Sequence, residues 1–144
     1  MSGKQRVVMD TSTLIGAVLL PGSVPRQAFL AAVRHDVLCV SAATLNELRG
    51  VVQRAKFDRY MPPHARLEFV EVLIGQALLW EVDAASERAA SGACRDVKDD
   101  KFLALALDCK ARVLVSSDAD LLVMRSWQGV PIMTPAAFVA LTAP

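Results

Sequence analysis

The sequence predicts an α/β protein with three layers, α/β/α, around a parallel sheet of about five strands. Two observations carry this prediction. Short runs that are apolar at every position recur along the chain, as expected of strands that are buried on both faces. Between them lie longer segments whose apolar residues repeat with the 3.6-residue period of a helix. Strands that alternate with helices in this way form a parallel sheet covered on both sides.

The first half of the chain contains two predicted strands and three predicted helices. RVVM (6–9) and VLCVS (37–41) are short apolar runs that predict strands. A helix over 11–20 ends before a Pro-Gly pair, and an amphipathic helix over 24–35 follows it. Apolar residues at helical spacing predict a third helix over 42–55.

The second half continues the alternation. A proline pair opens a helix over roughly 63–75, because proline is favoured in the first turn of a helix. ALLWEV (77–82) and RVLVSS (112–117) predict the third and fourth strands. KFLALALDCKA (101–111) is apolar almost all round and predicts a buried helix. The chain closes with a short fifth strand, VPIMTP (130–135), and a final helix in PAAFVALTA.

The totals favour one domain over residues 1–144 that works in the cytoplasm. A chain of 144 residues is long enough for a full-sized core. It is 53% hydrophobic with a mean hydropathy of +0.36, yet no apolar run reaches membrane-spanning length. The start, MSGKQR, leads directly into a strand, so no signal peptide and no membrane partner are expected. Three scattered cysteines suit a reducing compartment, and a net charge of +1 gives no global attraction to nucleic acid.

Four acidic residues are expected near one edge of the sheet. Asp10 directly follows the first strand and Asp118 the fourth, so both belong to the carboxyl edge, where open α/β sheets bind ligands. Glu47 lies early in the helix after the second strand, and Asp100 lies at the start of the buried helix. Each also has an ordinary explanation, since aspartate forms turns and caps helices and glutamate occupies solvated helix faces.

Carboxylates gathered in this way predict a hard divalent cation. Two carboxylates about 4 Å apart repel by roughly 4 kcal/mol at an effective dielectric of 20. Three or four of them therefore take up protons or require a cation. Mg²⁺ and Mn²⁺ prefer carboxylate oxygens, and no nitrogen or sulfur ligand accompanies these acids to favour zinc. Ser12 and Ser116 flank Asp10 and Asp118, where they either hold a carboxylate or water in place or simply cap helices.

Other chemistries find less support. Walker A, G-x-G-x-x-G and G-x-S-x-G motifs are absent. His35 and His64 stand in contexts typical of surface residues, which argues against a ribonuclease with two catalytic histidines. A phosphatase with an aspartyl nucleophile would need a second acid two residues after Asp10, where this chain has Ser12. A receiver-like phosphoacceptor stays an alternative, although VVMD offers a single acid at the end of the first strand.

The ordered set of acids resembles the PIN domain family. The resemblance rests on Asp10 after the first strand, Glu47 in the helix after the second, and DDKFLALAL followed by VSSDADL. It covers nearly the whole chain and is closest to the VapC-like toxins of bacterial toxin–antitoxin pairs. It implies a metal-dependent ribonuclease with an acidic pocket beside a parallel sheet. It also implies an antitoxin protein as partner and a homodimer.

The resemblance assigns a role to particular residues of this chain. The acids that catalyse hydrolysis and bind Mg²⁺ or Mn²⁺ are Asp10, Glu47, Asp100 and Asp118. Asp100 is taken as the third acid because its distance to Asp118 and the KFLALAL that follows it match the family pattern; Asp99 is the alternative register. The accessory residues beside these acids are Ser12, Ser116, Asp96, Asp99 and Asp120.

RNA hydrolysis also needs cations that contact phosphates. The predicted RNA-binding residues are Arg49, Arg54, Lys56 and Lys101. Phe57 and Tyr60 are interleaved with them, where aromatic rings can stack on bases. The alternatives are a solvated helix end with two core aromatics and a Lys101 that pairs with nearby acids. The apolar segment 66–80 is rich enough to pack on the core and still offer a face to a partner. A catalytically silent PIN-fold module that binds RNA or protein is the alternative function.

Overall fold

The computed structural model describes residues 4–142, so the two ends of the predicted 1–144 domain lie outside the described range. The strands are β1 (Arg6–Met9), β2 (Val37–Val40), β3 (Leu78–Leu79), β4 (Val113–Val115), β5 (Ser126–Trp127) and β6 (Val130–Met133). The helices are α1 (Thr11–Leu19), α2 (Val24–His35), α3 (Ala42–Val52), α4 (Pro63–Gly75), α5 (Ala84–Ala90), α6 (Asp100–Asp108), α7 (Ala119–Leu122) and α8 (Pro135–Thr142). Short 3₁₀ turns lie at Ala55–Phe57 and Val97–Asp99.

The six strands form one sheet in the order β3-β2-β1-β4-β6-β5. All neighbours are parallel except β5, which pairs antiparallel with β6. From β1 the chain builds outward through β2 to β3 on one side, and from β4 through β6 on the other. The strand order therefore reverses between β1 and β4, which are neighbours as the sequence analysis required. This is the position at which open parallel sheets bind ligands.

Helices cover both faces of the sheet and confirm the three-layer α/β/α prediction. The side chains of β1 alternate, so Val7 and Met9 belong to the core on one face and Val8 to the core on the other. Residues of α1, α2, α3, α4 and α8 complete the first core, and residues of α5, α6 and α7 complete the second. The three cysteines are free and buried. The core thus absorbs most of the apolar excess of the sequence.

Hydroxyl or carboxylate caps start three helices directly after strands. Asp10 caps α1 and Asp118 caps α7. Ser41 forms a capping box with Thr44, so the second strand ends at Val40 rather than at 41 as predicted. Because each cap lies at the carboxyl end of its strand or just beyond it, polar groups concentrate at that edge of the sheet.

Several predicted boundaries are wrong. The third strand, predicted over 77–82, consists of two residues, because Asp83 caps α5 and the chain before it leaves the sheet. The sequence analysis did not predict α5, α7 or β5. The helix predicted over 42–55 ends at Val52, and the one predicted over 101–111 ends at Asp108, where Lys110 takes a positive φ of 53°.

Within residues 4–142, no single helix is long and apolar enough to cross a membrane; α1 and α2 reach that length and composition only as a pair bent by 104°.

Candidate active site

Asp10 is the buried centre of the polar edge. Its side chain is 3% exposed, and its backbone N–H donates to Val115 on β4 at 3.1 Å. Oδ1 accepts hydrogen bonds from the backbone N–H of Thr13 at 3.0 Å and from the Ser12 hydroxyl at 3.2 Å. Oδ2 accepts from the Ser116 hydroxyl at 2.5 Å. Asp10 therefore caps α1, as its ordinary explanation holds, and is also tied to β4.

Ser116 joins the ends of β1 and β4. Its hydroxyl donates to Asp10 and accepts the backbone N–H of Asp118 at 2.9 Å, and the side chain is fully buried. Asp118 in turn caps α7 by accepting the backbone N–H of Asp120 at 2.8 Å. The two aspartates that the sequence analysis placed at this edge do line one cleft.

The third acid in the cleft is Asp99, not Asp100. Asp99 ends the 3₁₀ turn before α6, is 8% exposed, and lines the cleft with Asp10 and Asp118. Its Oδ2 atom is buried and has no hydrogen-bond partner. Asp99 was only the alternative register in the sequence analysis.

Asp100 faces the loop after α5. Its carboxylate accepts the backbone N–H groups of Gly92 at 2.7 Å and Cys94 at 3.0 Å, and it does not line the cleft. The expected ligand set is therefore corrected by one residue. The physical reason is that the two backbone donors already satisfy Asp100, whereas Asp99 lies on the side of the chain that meets Asp118.

Glu47 reaches the cleft from α3. Its Oε2 atom accepts a hydrogen bond from the Thr11 hydroxyl, and its Oε1 atom lies 2.8 Å from the Lys101 ammonium. Lys101 was predicted to contact RNA, but the structure pairs it with an acid, which is the alternative that the sequence analysis left open. The pair is about three-quarters buried on both sides.

The two remaining acids separate. Asp96 lines the cleft and accepts the backbone N–H of Lys98 at 3.0 Å, so it also starts the 3₁₀ turn. Asp120 forms a salt bridge with Arg95, 2.6 Å from Nη2, and does not line the cleft. Of the predicted accessory residues, Ser12 and Asp96 line the cleft, and Ser116 supports it from below.

The cleft has a volume of about 490 Å³ and combines an acidic floor with a cationic rim. Arg54, Lys56 and Lys98 line it with Phe57. The predicted RNA contact Arg49 does not, because Glu71 holds its guanidinium at 3.0 Å through two hydrogen bonds on an exposed surface. The complete lining is Asp10, Thr11, Ser12, Ile15, Glu47, Val51, Arg54, Lys56, Phe57, Asp96, Lys98, Asp99, Phe102 and Asp118.

Two cleft residues received no role from the sequence analysis. Thr11 holds Glu47, and Lys98 adds a third cation to the rim. A signal for Lys98 was available, since it lies within two residues of the acidic run. Thr11 carried no signal that separates it from an ordinary first-turn threonine.

Crowding of the carboxylates changes their acidity. The pKa of Asp99 is raised to about 7, first by burial, then by the adjoining carboxyl of Asp118, and then by the charges of Asp96 and Asp10. Burial also raises the pKa of Asp10, although hydrogen bonds, foremost from Ser116, act in the opposite direction. Two carboxylates in contact can hydrogen-bond only by sharing a proton. The cluster therefore holds a proton near neutral pH where a cation could stand.

The oxygen donors fit a hard divalent cation in type, and one position is open. No group of three or more His, Cys, Asp or Glu side chains within the described residues already has the arrangement of a metal site. The buried Oδ2 of Asp99, however, accepts no hydrogen bond and faces other carboxylates. A buried carboxylate without a partner is costly, and a cation bound there would satisfy it. The residues present thus fit Mg²⁺ or Mn²⁺ better than zinc.

Comparison with known proteins gives a family and a set of similar folds. The family model described as PIN domain matches residues 6–120. A sequence comparison with curated proteins found no significant match.

The structural neighbours have low sequence identity and high coverage. VapBC2 from Rickettsia felis, bound to a DNA fragment from its promoter, matches with a TM-score of 0.66 and 11% identity over 90% of this chain and 98% of that chain. DNA-bound VapBC from Salmonella typhimurium matches at 0.64 and 20% over 91% and 98%. Mycobacterium tuberculosis VapC20, described as a sarcin-ricin loop cleaving toxin, matches at 0.56 and 15% over 87% and 98%. At these identities the likeness shows the fold, and the family match over most of the chain shows that it belongs to the PIN domain family.

Proposed function

We propose that this chain is a metal-dependent endoribonuclease and the toxin of a toxin–antitoxin pair. One observation carries the proposal: carboxylates from separate elements, Asp10, Asp99 and Asp118, line one cleft at the reversal point of the sheet. Acids that are far apart in the chain and raise each other's pKa cluster more often at functional sites than elsewhere.

Asp10, Asp99 and Asp118 would hold Mg²⁺ or Mn²⁺, with Glu47 at the border of the cluster. When bound, the cation would activate water and stabilise the charge that develops on the scissile phosphodiester. The fully buried Ser116 hydroxyl keeps Asp10 and the backbone of Asp118 in register. Asp100 supports the site only indirectly, by fixing the loop before α6.

Glu47 has a different environment from the other acids. Thr11 and Lys101 fix its orientation, and the Lys101 ammonium neutralises part of the acidic charge in the absence of a metal. An oriented carboxylate beside the cluster can hold water or complete the oxygen donor set. We therefore keep Glu47 in the proposed site and assign Lys101 to positioning it rather than to RNA.

The rim supplies the cations that an RNA substrate requires. Arg54, Lys56 and Lys98 line the cleft on either side of the acids, where they can contact phosphates that flank the scissile one. Phe57 adds an aromatic ring for a base. Arg49 is withdrawn from the proposed contacts, because its two bonds to Glu71 occupy it away from the cleft.

The proposed partners are an antitoxin and a second copy of the chain, in the cytoplasm. VapBC complexes are among the structural neighbours, and their names support an antitoxin partner for a chain of this fold. Apolar residues that stay exposed support protein contacts as well: in α4 and β3 these are Val72, Leu78 and Leu79, between 45% and 67% exposed.

Cleavage of a defined RNA mixture tests the proposal. The purified chain is incubated with structured and single-stranded RNA in Mg²⁺, in Mn²⁺ and in EDTA, beside the variant Asp10→Asn. We expect fragments with either metal, none in EDTA, and at least about 100-fold slower cleavage by Asp10→Asn. Equal cleavage by the folded variant, or none by the wild type in either metal, would refute it.

A catalytically silent PIN-fold binding module is the second candidate. The observation that favours it is the Lys101 ammonium, which already neutralises Glu47, together with the lack of a ready-made metal group among residues 4–142. Such a module would bind RNA through the rim with the same affinity in EDTA and in Mn²⁺. Its melting temperature would not rise with Mn²⁺.

A further inference from the structure

The largest fully buried side chain in the described part of the chain is charged. Arg66, in the first half of α4, has no exposed surface. A buried charge is costly unless it is paired and its hydrogen-bond donors are satisfied. The environment of Arg66 therefore shows what its burial achieves.

All the partners of Arg66 lie in the connection between α3 and α4 or at its edge. Nε donates to the carbonyl of Val52 at 2.7 Å, and Nη1 donates to that of Met61 at 2.5 Å. Nη2 donates to the carbonyl of Arg54 at 3.4 Å. Nη1 also lies 3.0 Å from the carboxylate of Asp58, whose side chain is half exposed. One guanidinium thus holds the beginning, the middle and the end of the connection.

The connection over residues 53–62 forms one wall of the acidic cleft. It contains a single 3₁₀ turn and no other regular structure. Arg54, Lys56 and Phe57, three of the side chains that line the cleft, belong to it. Arg66 itself does not line the cleft. Any effect of Arg66 on a ligand in the cleft must therefore pass through this wall.

We propose that Arg66 is a positioning residue for the RNA substrate: its buried guanidinium fixes the wall 53–62 so that Arg54, Lys56 and Phe57 meet RNA in a preformed arrangement. The inference rests on the proposed function and deepens it. A wall that is ordered before binding does not lose conformational entropy when RNA arrives, so affinity gains from order that Arg66 supplies.

Arginine suits this task better than lysine. Its planar fork presents five N–H donors in fixed directions, which allows one side chain to reach three carbonyl groups and a carboxylate. Lysine keeps the charge but is a compact ammonium on a flexible stem. Arg66→Lys should therefore loosen the wall while it leaves a cation in the core.

The experiment compares Arg66→Lys with a matched buried pair elsewhere. Arg112 donates to Asp36 at 2.9 and 3.2 Å at the amino ends of β4 and β2, the opposite edge of the sheet. Arg112→Lys thus controls for a lost arginine–carboxylate contact without touching the wall. Asp58→Asn is the second wall variant and removes only the exposed carboxylate partner. Arg54→Gln, Lys56→Gln gives the effect of losing the two wall cations outright.

Three measurements are made on each protein. RNA affinity is measured in EDTA with a fluorescein-labelled single-stranded RNA of about 12 nucleotides, over a series of salt concentrations. Amide hydrogen exchange is followed in the segment 53–62 and in α6. KM and kcat for cleavage of the same RNA are measured in Mn²⁺.

We expect Arg66→Lys to bind RNA about tenfold more weakly and to have a raised KM with kcat within about twofold. Its salt slope should fall toward that of the double wall variant, which loses about 0.7 for each phosphate contact. Exchange should quicken in 53–62 and not in α6, and Asp58→Asn should show the same pattern more weakly. Arg112→Lys should leave affinity, KM and salt slope unchanged.

Wild-type affinity, salt slope and loop exchange in Arg66→Lys would overturn the inference, and so would equal losses in Arg66→Lys and Arg112→Lys. If Arg66→Lys does not fold, wild-type exchange and affinity in Asp58→Asn overturn it. Failure of the proposed function looks different: the wild type itself then neither binds nor cleaves RNA. The inference alone fails when the wild type is active and the wall variants match it.

Discussion

Two adjacent aspartates illustrate how much one residue of register decides. Asp99 ends a 3₁₀ turn and faces Asp118, whereas Asp100 starts α6 and accepts two backbone N–H groups of the loop before it. The sequence contained a signal for this, since Asp99 shares its helical face with Phe102, Leu103 and Ala106, all almost fully buried. A carboxylate on the most buried face of a helix start is the one that meets the core edge.

The pair Asp99→Asn and Asp100→Asn therefore separates a cleft acid from a loop acid. We expect Asp99→Asn to slow Mn²⁺-dependent RNA cleavage by at least about 100-fold, because it removes an oxygen charge from the proposed metal site. Asp100→Asn should cleave within about twofold of wild type and lose about 1–3 kcal/mol in free energy of unfolding, because its hydrogen bonds are to charged oxygens. Cleavage rates and urea unfolding check both variants. The reverse order of cleavage rates would show that the register was assigned wrongly.

The raised acidity constants predict an unusual pH dependence of the metal-free protein. Asp99 has a pKa of about 7 in the folded state against a model value of 3.8, and the pKa of Asp10 is shifted in the same direction. Between about pH 4 and pH 7 the folded state thus binds more protons than the unfolded state, so the free energy of unfolding falls as pH rises. Lowered pKa values, such as that of Asp108, act below this window.

Urea unfolding in EDTA across this window measures the effect. Wild type should lose stability toward neutral pH, Asp99→Asn should show a flatter profile, and Mn²⁺ should remove the loss, because a cation replaces the proton. A metal-free wild type whose stability rises from about pH 5 to pH 7 would contradict the clustering of the acids.

At the scale of elements, the sequence predicted the buried strands well and the exposed ones poorly. β1, β2, β4 and β6 are short apolar runs, and the structure has them within one or two residues of the predicted bounds. ALLWEV looked equally apolar, but only Leu78 and Leu79 join the sheet, at an exposed edge. Hydrophobicity indicates burial only where a partner element is present to cover the strand, and no local pattern supplies that information.

Helix α5 was missed for the same reason. AASERAA has no large apolar residue, and only Ala90 is buried, so it lacks an apolar stripe. Its position comes from a distant residue instead: Asp108, at the end of α6, accepts hydrogen bonds from Trp80 Nε1 at 2.7 Å, Ser86 Oγ at 2.7 Å and the backbone of Asp83 at 3.2 Å. Contacts across more than 20 residues are not visible in a local sequence pattern.

Asp108→Asn tests this tertiary anchor. An amide keeps one oxygen acceptor but loses the charge that three donors share, so we expect a loss of about 1–3 kcal/mol in the free energy of unfolding near neutral pH. RNA cleavage by the folded variant should stay near wild type, because the anchor lies away from the acidic cleft. Unfolding in urea and a cleavage assay are the measurements. A change below about 0.5 kcal/mol would mean that the three contacts do not hold α5.

At the scale of the whole molecule, the fold class and the strand reversal followed from the sequence, while the assembly did not. Alternating apolar strands and helices imply a parallel sheet, and Asp10 and Asp118 then reach one edge. A composition that is 53% hydrophobic left open how much apolar surface the core absorbs. Most of it is buried, yet Val72 and Leu79 remain 67% and 64% exposed.

Exposed apolar residues at this level predict self-association. We expect the purified chain to behave as a homodimer with about twice the 15.5 kDa mass of one chain, because a second copy would cover Val72 and Leu79. The double variant Val72→Glu, Leu79→Glu should shift toward the monomer mass and keep its melting temperature within a few degrees. Light scattering after size-exclusion chromatography measures both. A wild-type monomer, or a dimer that the double variant leaves intact, would refute this assignment.

Calorimetric titration of the metal-free protein with Mn²⁺ near neutral pH tests the acidic cluster most directly, because it needs neither a substrate nor a partner. We expect saturable binding by the wild type, with proton release from the cluster, and loss of that binding in the folded double variant Asp10→Asn, Asp118→Asn. A folded wild type that binds no Mn²⁺, or a double variant that binds it equally well, would contradict a metal site at the carboxyl ends of β1 and β4.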